Sequence, residues 1–571
     1  MSRVANAVML AASCICLRGS STAAYLATRA RLNITRGNKR SFVDSRAPRI
    51  IRTQSVSSAQ QEKDAVSAQQ PPPLPPMDDT FSSPLAAFEE LLAAPALPAG
   101  AARYDKIGLK TGGIWRTKWY GVLPCTLLAA QATTQWLTKE EANGNVYSAL
   151  SPSALAIFGR KSVVTLGAQP KIHAAVRAMF NEALSPKATL KLAPFVQSCL
   201  DKRVRGWDAI ASSGKTIKMF EEISDLTMEI ISHIFLGDYG KGQVLDDVKR
   251  IVPIASAGLA SKPRRFPWPV DRLSASKFDR AIDARKEFDA VIGDVVRRRR
   301  LDTFGADDET KNRQSAGVLD AMLAMQARQV EAGGSTDEEM EYDDVFIFDN
   351  TYNGIFGGYE TTSVTISRML QFLASDESKD QRVLEHLREE LNIDWPSLES
   401  CLAEGKKAKT SEQERSGLVG ILKSFPLLQA VVLESNRLSP AVSSVFRVAR
   451  NDVEYNGFLI PKGEKMCWNL NNGYKAESLY PQPAKFCPFR FLHGNSEGGT
   501  SRVDQPTPLV FGFGKHMCPG RELSMLEIVL FLRTFLHKYS YSLAKRQDLR
   551  GNLPVNAPKS GLEVVLSRVD I

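Results

Sequence analysis

Cys518 is preceded by glycines at 512 and 514, followed by Gly520, and then by an apolar stretch of helical periodicity, Arg521–Tyr539. That order puts the sulfur just before a helix N-terminus, where partial positive charge and unpaired N–H groups favour a thiolate. The glycines let the backbone approach the sulfur and a flat macrocycle closely, and their N–H groups can bond the sulfur and tune it. Phe511 is placed to pack beside the sulfur and exclude water. The chemistry this predicts is a thiolate metal ligand, the alternative being a structural cysteine buried in a glycine-rich turn. A second cluster, Phe356-Gly-Gly-Tyr-Glu-Thr-Thr-Ser363, lies inside a long apolar helical pattern. Each of its adjacent glycines weakens a helix by about 1 kcal/mol relative to alanine. They mark either close helix packing or a deliberate local opening. Glu360 beside Thr361 pairs an acid with a hydroxyl, which can relay protons from solvent through water to a reacting group.

Two further pairs share helix faces. Glu434 and Arg437 are three residues apart, and His173 and Arg177 are four apart. In chain order, these segments resemble the cytochrome P450 family. Phe511, Gly514, His516, Cys518 and Gly520 match its haem-binding loop, Phe-x-x-Gly-x-(Arg/His)-x-Cys-x-Gly. The resemblance implies that Cys518 ligates the iron of haem b and that His516 meets a propionate. Gly357, Gly358, Glu360, Thr361 and Thr362 match the family's dioxygen pocket, which gives Thr361 an organising and donating role and Glu360 a supplying one. Glu434 and Arg437 match the Glu-x-x-Arg helix, and Arg490 in Pro488-Phe-Arg-Phe491 is its downstream partner in a structural triad. His173, Arg177 and Arg447 match propionate-binding positions.

The sequence departs from the pattern in places. Histidine stands at 516 where arginine is commoner, and at 173 where tryptophan is. Ser435-Asn436 replaces Thr-Leu, Tyr474 stands where histidine often precedes the meander, and about 395–420 is an insert rich in Lys, Glu and Ser. Three stretches, among them Phe446–Gly463 and Gly520–Glu527, are most similar to the branch that oxidises sterols, brassinosteroids and retinoic acid. The implied activity is a monooxygenase that uses dioxygen to hydroxylate a lipophilic isoprenoid: a sterol, carotenoid, retinoid or similar. No nicotinamide or flavin site is visible, so electrons are expected from an NADPH-dependent reductase or a ferredoxin. The alternatives are a haem-thiolate isomerase or dehydratase, against which Glu360-Thr361 argues, and a non-catalytic haem-binding sensor. Substrate contacts are expected from the loop after residue 100, Ile251–Leu273, Tyr352–Ile355 and Ala441–Val445. Within them Arg264-Arg265 and Phe266-Pro-Trp-Pro269 suit either a membrane interface or a loop closing the pocket.

The elements that must position these residues are mostly helical. Apolar residues recur at three- and four-residue spacing around 168–184, 186–212, 217–236, 277–300, 340–375, 378–391 and 425–438. Alternating runs at Val445–Val453 and Phe458–Pro461 predict strands around an Asn456-Gly457 turn, and Leu553–Val569 predicts a terminal hairpin. The expected fold is mainly α with small β-sheets, a single large catalytic domain over 100–571. Before it, residues 53–99 read as a disordered Pro/Gln-rich linker, since the run Pro71–Pro76, broken only by Leu74, favours extended polyproline. Residues 1–52 read as a targeting leader for plastid or mitochondrion, with an endoplasmic-reticulum signal as the alternative. That leader holds ten Lys/Arg against one acid, Asp44, a net +9 of the chain's +10, so the other residues carry +1 in total. The basic character is therefore local, which excludes nucleic-acid binding by the body. The eight cysteines have no framework spacing and form no CxxC pair, which excludes a disulfide scaffold and a Cys-rich metal cluster.

Overall fold

The computed structural model describes residues 72–76, 109–119, 123–259, 276–305, 317–333, 340–392, 418, 420, 422–469, 474–492, 508–545, 547–549, 551–552 and 555–569. All fall in one unit, Pro71–Ile571. The leader, the loop at 101–108, residues 260–275 with Arg264-Arg265 and Phe266–Pro269, and most of the 395–420 insert lie outside the described residues.

The helices, in order, are α1 (Ala130–Ala142), α2 (Pro152–Phe158), α3 (Pro170–Ala183), α4 (Pro186–Ser213), α5 (Met219–Leu236) and α6 (Gln243–Ser256). Next come α7 (Lys277–Gly305), α8 (Val318–Glu331), α9 (Asp344–Leu373), α10 (Val383–Asn392), α11 (Pro426–Leu438) and α12 (Arg521–Lys538). The strands are β1 (Ile114–Trp119), β2 (Leu123–Ala129), β3 (Val146–Ala149), β4 (Thr216–Lys218), β5 (Ser444–Ala449), β6 (Val453–Tyr455), β7 (Phe458–Ile460) and β8 (Lys465–Asn469). They end with β9 (Tyr539–Leu543), β10 (Gly551–Asn552), β11 (Ala557–Pro558) and β12 (Glu563–Arg568). Helices α3, α4, α5, α7, α9, α10, α11 and α12 fall on the segments the periodicity predicts, whereas α1, α2, α6 and α8 lie on segments it did not mark.

At the centre is α9. Its N-terminus is capped by Asp343, whose carboxylate accepts the Phe346 N–H at 3.0 Å. Buried residues surround most of its circumference, as expected of a helix inside a large core. It packs on α5, α11, α7 and α12. The N-terminus of α11 is satisfied from a neighbour: Glu390 on α10 accepts the N–H groups of Leu427 and Leu428 at 2.7 and 2.9 Å. A buried ion pair, Arg285 Nη2 to Asp349 Oδ1 at 2.6 Å, joins α7 to α9. The other Asp349 oxygen accepts Lys161 N–H at 2.9 Å, which pins the loop after α2 to the same point.

The sheets are small. The largest has the order β1-β2-β8-β5-β3, with β2 parallel to β8 and the other pairs antiparallel. Strands β6 and β7 meet at Asn456-Gly457, both at positive φ (50° and 77°), the geometry a two-residue hairpin turn requires. The terminal segment differs from a plain hairpin. Strand β12 is the middle of three, antiparallel to both β4 and β9. Val564 and Leu566 alternate into the core, and two flanking strands complete the surface they bury against.

The expected start of the folded part near residue 100 also differs. Pro73 O accepts the Leu459 N–H at 2.9 Å and Pro76 O accepts the Arg116 N–H at 2.8 Å. Residues 72–76 of the proline run are thus bonded to β7 and to the edge strand β1. Proline lacks an N–H, but its carbonyls still accept, so such a strap can cover a strand edge from one side.

Candidate active site

The adjacent glycines of α9 divide the two roles open to them. At Gly358 an added Cβ would lie 2.4 Å from Ile231 Cγ1, and at Gly354 1.8 Å from the Phe235 ring, so these positions let α5 pack closely. At Gly357 an added Cβ would meet nothing within 4 Å. One glycine packs a helix and its neighbour faces open space. Thr361, one turn on, donates its hydroxyl to Gly357 O at 2.6 Å. Glu360 turns the other way. Its Oε2 is buried with no hydrogen-bond partner among the described residues. Burial pushes the Glu360 carboxyl up to about 8, against a smaller opposing pull from the Tyr359 hydroxyl bonded to it. The carboxyl and the Thr361 hydroxyl are thus neighbours in sequence but do not bond each other.

Thr362 links α9 to the first turn of α12, its hydroxyl donating to Ser524 Oγ at 3.3 Å. Cys518 lies just before that turn. Gly512 and Gly514 take positive φ (70° and 58°), and the Cys518 N–H closes the loop on Phe511 O at 2.8 Å. Phe511 packs on the main core, with the Arg521 guanidinium 5.9 Å from its ring centre. Burial raises the Cys518 thiol, opposed first by the Gly520 N–H bonded to its sulfur and then by the charge of Arg177. The loop supplies what a thiolate needs, but in a buried place where a counter-charge has to stabilise it.

Beside the loop the structure gathers all four expected carboxylate-binding residues. The His173 and His516 rings lie 4.9 Å apart. Arg177 Nη2 donates to Met517 O at 2.5 Å. Arg447 donates its Nη1 to Phe446 O at 2.9 Å and its Nε to Glu141. Burial and neighbouring cations depress the histidines, His173 to about 4 and His516 to about 2. His516 Nε2 is buried without a hydrogen-bond partner among the described residues. Sequence reasoning missed two members of this cluster. Lys515 was legible only as a cation in the loop; Glu141 carried no signal.

The third group is a closed polar network. Glu434 receives Arg437 at 2.8 and 2.9 Å, Arg490 Nε at 3.1 Å and the Cys487 N–H at 2.9 Å. Arg437 also donates to Tyr474 O at 2.7 Å and Arg490 to Pro481 O at 3.1 Å. Tyr474 adds a further tie, its hydroxyl accepting the Leu509 N–H at 2.6 Å and so joining the meander to the approach of the cysteine loop.

The site therefore combines a single cysteine on a glycine loop, a helix opened by glycine at 357 and tied through Thr362 to the helix after that loop, and a basic pocket with an unanswered imidazole. The family model for cytochrome P450 matches residues 101–557, most of the chain, and the chain belongs to that family. It is an oxidoreductase, a monooxygenase that works with haem iron. Abscisic acid 8'-hydroxylase 1 of Arabidopsis thaliana is 27% identical over 402 residues, covering 70% of this chain and 73% of that protein. Abscisic acid 8'-hydroxylase 2 of Oryza sativa subsp. indica is 26% identical over 462 residues, covering 80% and 79%. Retinoic acid-bound cyanobacterial CYP120A1 shares the fold with a TM-score of 0.65 at 21% identity, covering 88% of this chain and 100% of its own.

The residues fit the cofactor the family uses. Iron needs one soft ligand from the protein, which Cys518 offers. A porphyrin's carboxylates need cations and donors at one edge, and the orphaned His516 Nε2 stands among them.

Proposed function

We propose that Cys518 would ligate the iron of haem b as a thiolate and that the enzyme hydroxylates a lipophilic isoprenoid, with terpenoid acids the first class to test. What supports this reading is the Cys518 loop together with α9, which opens at Gly357 and whose Thr362 is bonded to Ser524 just after that loop. Bound haem supplies the chemistry of dioxygen reduction and C–H oxygenation, consuming two protons and two electrons from a reductase or ferredoxin. Arg447, His516, His173 and Arg177 hold the propionates. The Gly520 N–H and Arg177 sustain negative charge on the Cys518 sulfur. Glu360 keeps a proton on its buried carboxyl at neutral pH. Thr361, whose hydrogen is committed to Gly357 O, presents oxygen lone pairs to incoming water and passes protons on by exchange. Glu434, Arg437 and Arg490 hold the scaffold and do no chemistry.

Ala441, at the start of one expected contact segment, packs in a small apolar cluster with Val364, Val555 and Ala557, against which Phe356 and Phe220 lie. Tyr352 and Ile355, from the expected contact segment Tyr352–Ile355, are both fully buried. Two hydroxylases similar to this chain take abscisic acid by name, and the cyanobacterial protein of like fold binds retinoic acid. Membrane association remains part of this reading, through the aromatic, proline-rich segment Ile251–Leu273 with its flanking arginines; no helix among the described residues is long and apolar enough to cross a bilayer. Residues 1–52 direct import into a plastid or mitochondrion.

The reduced protein with carbon monoxide is expected to show the red-shifted Soret band of thiolate ligation, and Cys518→Ser to abolish it. An unchanged band in that variant overturns the ligand assignment. A screen by spin-state shift across abscisic acid, retinoids, carotenoids and sterols then tests the substrate class, and no response to any of them overturns it.

A further inference from the structure

Glu141 closes α1 and is only 3% exposed. No motif contains it, yet it stands at the middle of the basic cluster. Its Oε1 receives Arg447 Nε, and His516 Nε2 lies 3.7 Å from the same oxygen. Its backbone carbonyl receives Lys515 Nζ at 3.1 Å. The helix it ends is wedged against the cysteine loop, with Thr138 Cγ2 3.4 Å from where a side chain on Gly514 would start. A buried carboxylate at that place meets a desolvation cost, which its cations offset.

The charges of the cluster count out simply. Apart from the histidines, Arg177, Arg447 and Lys515 are three cations around one acid, Glu141. The net is +2, which a dicarboxylate neutralises. Without Glu141 the pocket would carry an uncompensated positive charge even when a dicarboxylate fills it.

We infer that Glu141 is the positioning residue of the propionate clamp: its carboxylate aims Arg447 and sets the charge of the pocket that receives the cofactor's two carboxylates. The inference rests on the reading that this cluster faces the propionates. It assigns Glu141 no contact with substrate or iron. Its action is through Arg447, in the way outer partners orient the groups that hold a metal site.

The test uses the purified holoenzyme and two readouts, haem transfer to apomyoglobin and the ferric/ferrous reduction potential. Glu141→Gln keeps the size and removes the charge. Haem loss is expected to quicken about tenfold, the lower range for removing an outer partner of a metal site. The potential is expected to move positive, because an anion that favoured the ferric state is gone. Glu141→Asp should fall between, and if the glutamine variant yields no holoprotein, the aspartate variant is measured alone, with the same direction expected. Arg447→Met is run beside them. Unchanged potential and haem loss in the Glu141 variants, with both altered in Arg447→Met, overturns the role of Glu141. No change in any variant overturns the propionate reading itself.

Discussion

Glu360 and Thr361 show how one helix turn can divide an acid from an alcohol. Thr361 opens toward the space beside Gly357, while Glu360 is packed beside Tyr359. The carboxyl's rise from its ordinary 4.5 to about 8 follows from burial and has two consequences. Between those values the unfolded chain has ionised this group and the fold has not, so its contribution to stability, complete below 4.5, declines through the window and is lost above about 8. In the proposed relay, Glu360 as donor stays loaded at neutral pH and empties above about 8. Hydrogen peroxide released per electron consumed is therefore expected to rise as pH passes about 8. Glu360→Gln should give a high, flat profile, and Thr361→Ala a raised release at every pH. A glutamine variant that keeps the wild-type pH profile would show that the relevant proton comes from elsewhere.

At the scale of elements, α9 and the Glu434 network do different work. Gly358 exists for packing and Gly357 for opening. Gly358→Ala forces its Cβ onto Ile231 and is expected to cost about 1–3 kcal/mol, the usual range for overpacking a core. Gly357→Ala meets no atom and gains helix propensity, so chemical denaturation should show it unchanged or up to about 1 kcal/mol more stable. Equal losses in the two variants would contradict the division. Arg490 is nearly buried and one of two guanidinium partners of Glu434. Arg490→Leu leaves part of that carboxylate uncompensated, and about 3–5 kcal/mol of destabilisation is expected, together with weakened haem retention. A variant that unfolds at the wild-type denaturant concentration would show the triad to be dispensable.

The unit Pro71–Ile571 begins with the proline strap. Residues 72–76 add two backbone hydrogen bonds and cover the edge of β1, whereas residues 1–70 form no part of the unit that follows. Removal of residues 1–70 is expected to leave the thermal midpoint unchanged. Removal of 1–80 should lower it and promote aggregation through the uncovered strand edge. Equal midpoints for the two truncations would mean the strap contributes nothing. The leader predicts a separate behaviour: residues 1–52 fused to a fluorescent protein should carry it into a plastid or mitochondrion, and a reticular pattern would favour the endoplasmic-reticulum alternative.

The helices were readable because each must bury one face, and that requirement writes a period into the chain; α4, α9 and α11 fall on their predicted segments for that reason. The cysteine loop and the Glu434 triad were readable because glycine, proline and paired charges occur at spacings fixed by local geometry. The sequence by itself thus determined the family, the iron ligand as an expectation and the helical scaffold. It did not determine which α9 glycine packs and which opens, because that depends on where Ile231 of another helix falls. Nor did it reveal Glu141, whose partners lie some 306 and 374 residues away in the chain. The central place of β12 and the docking of Pro72–Pro76 likewise depend on distant strands. Periodicity and spacing encode what a segment does to itself; a contact between segments far apart leaves no local pattern, and only the folded chain decides it.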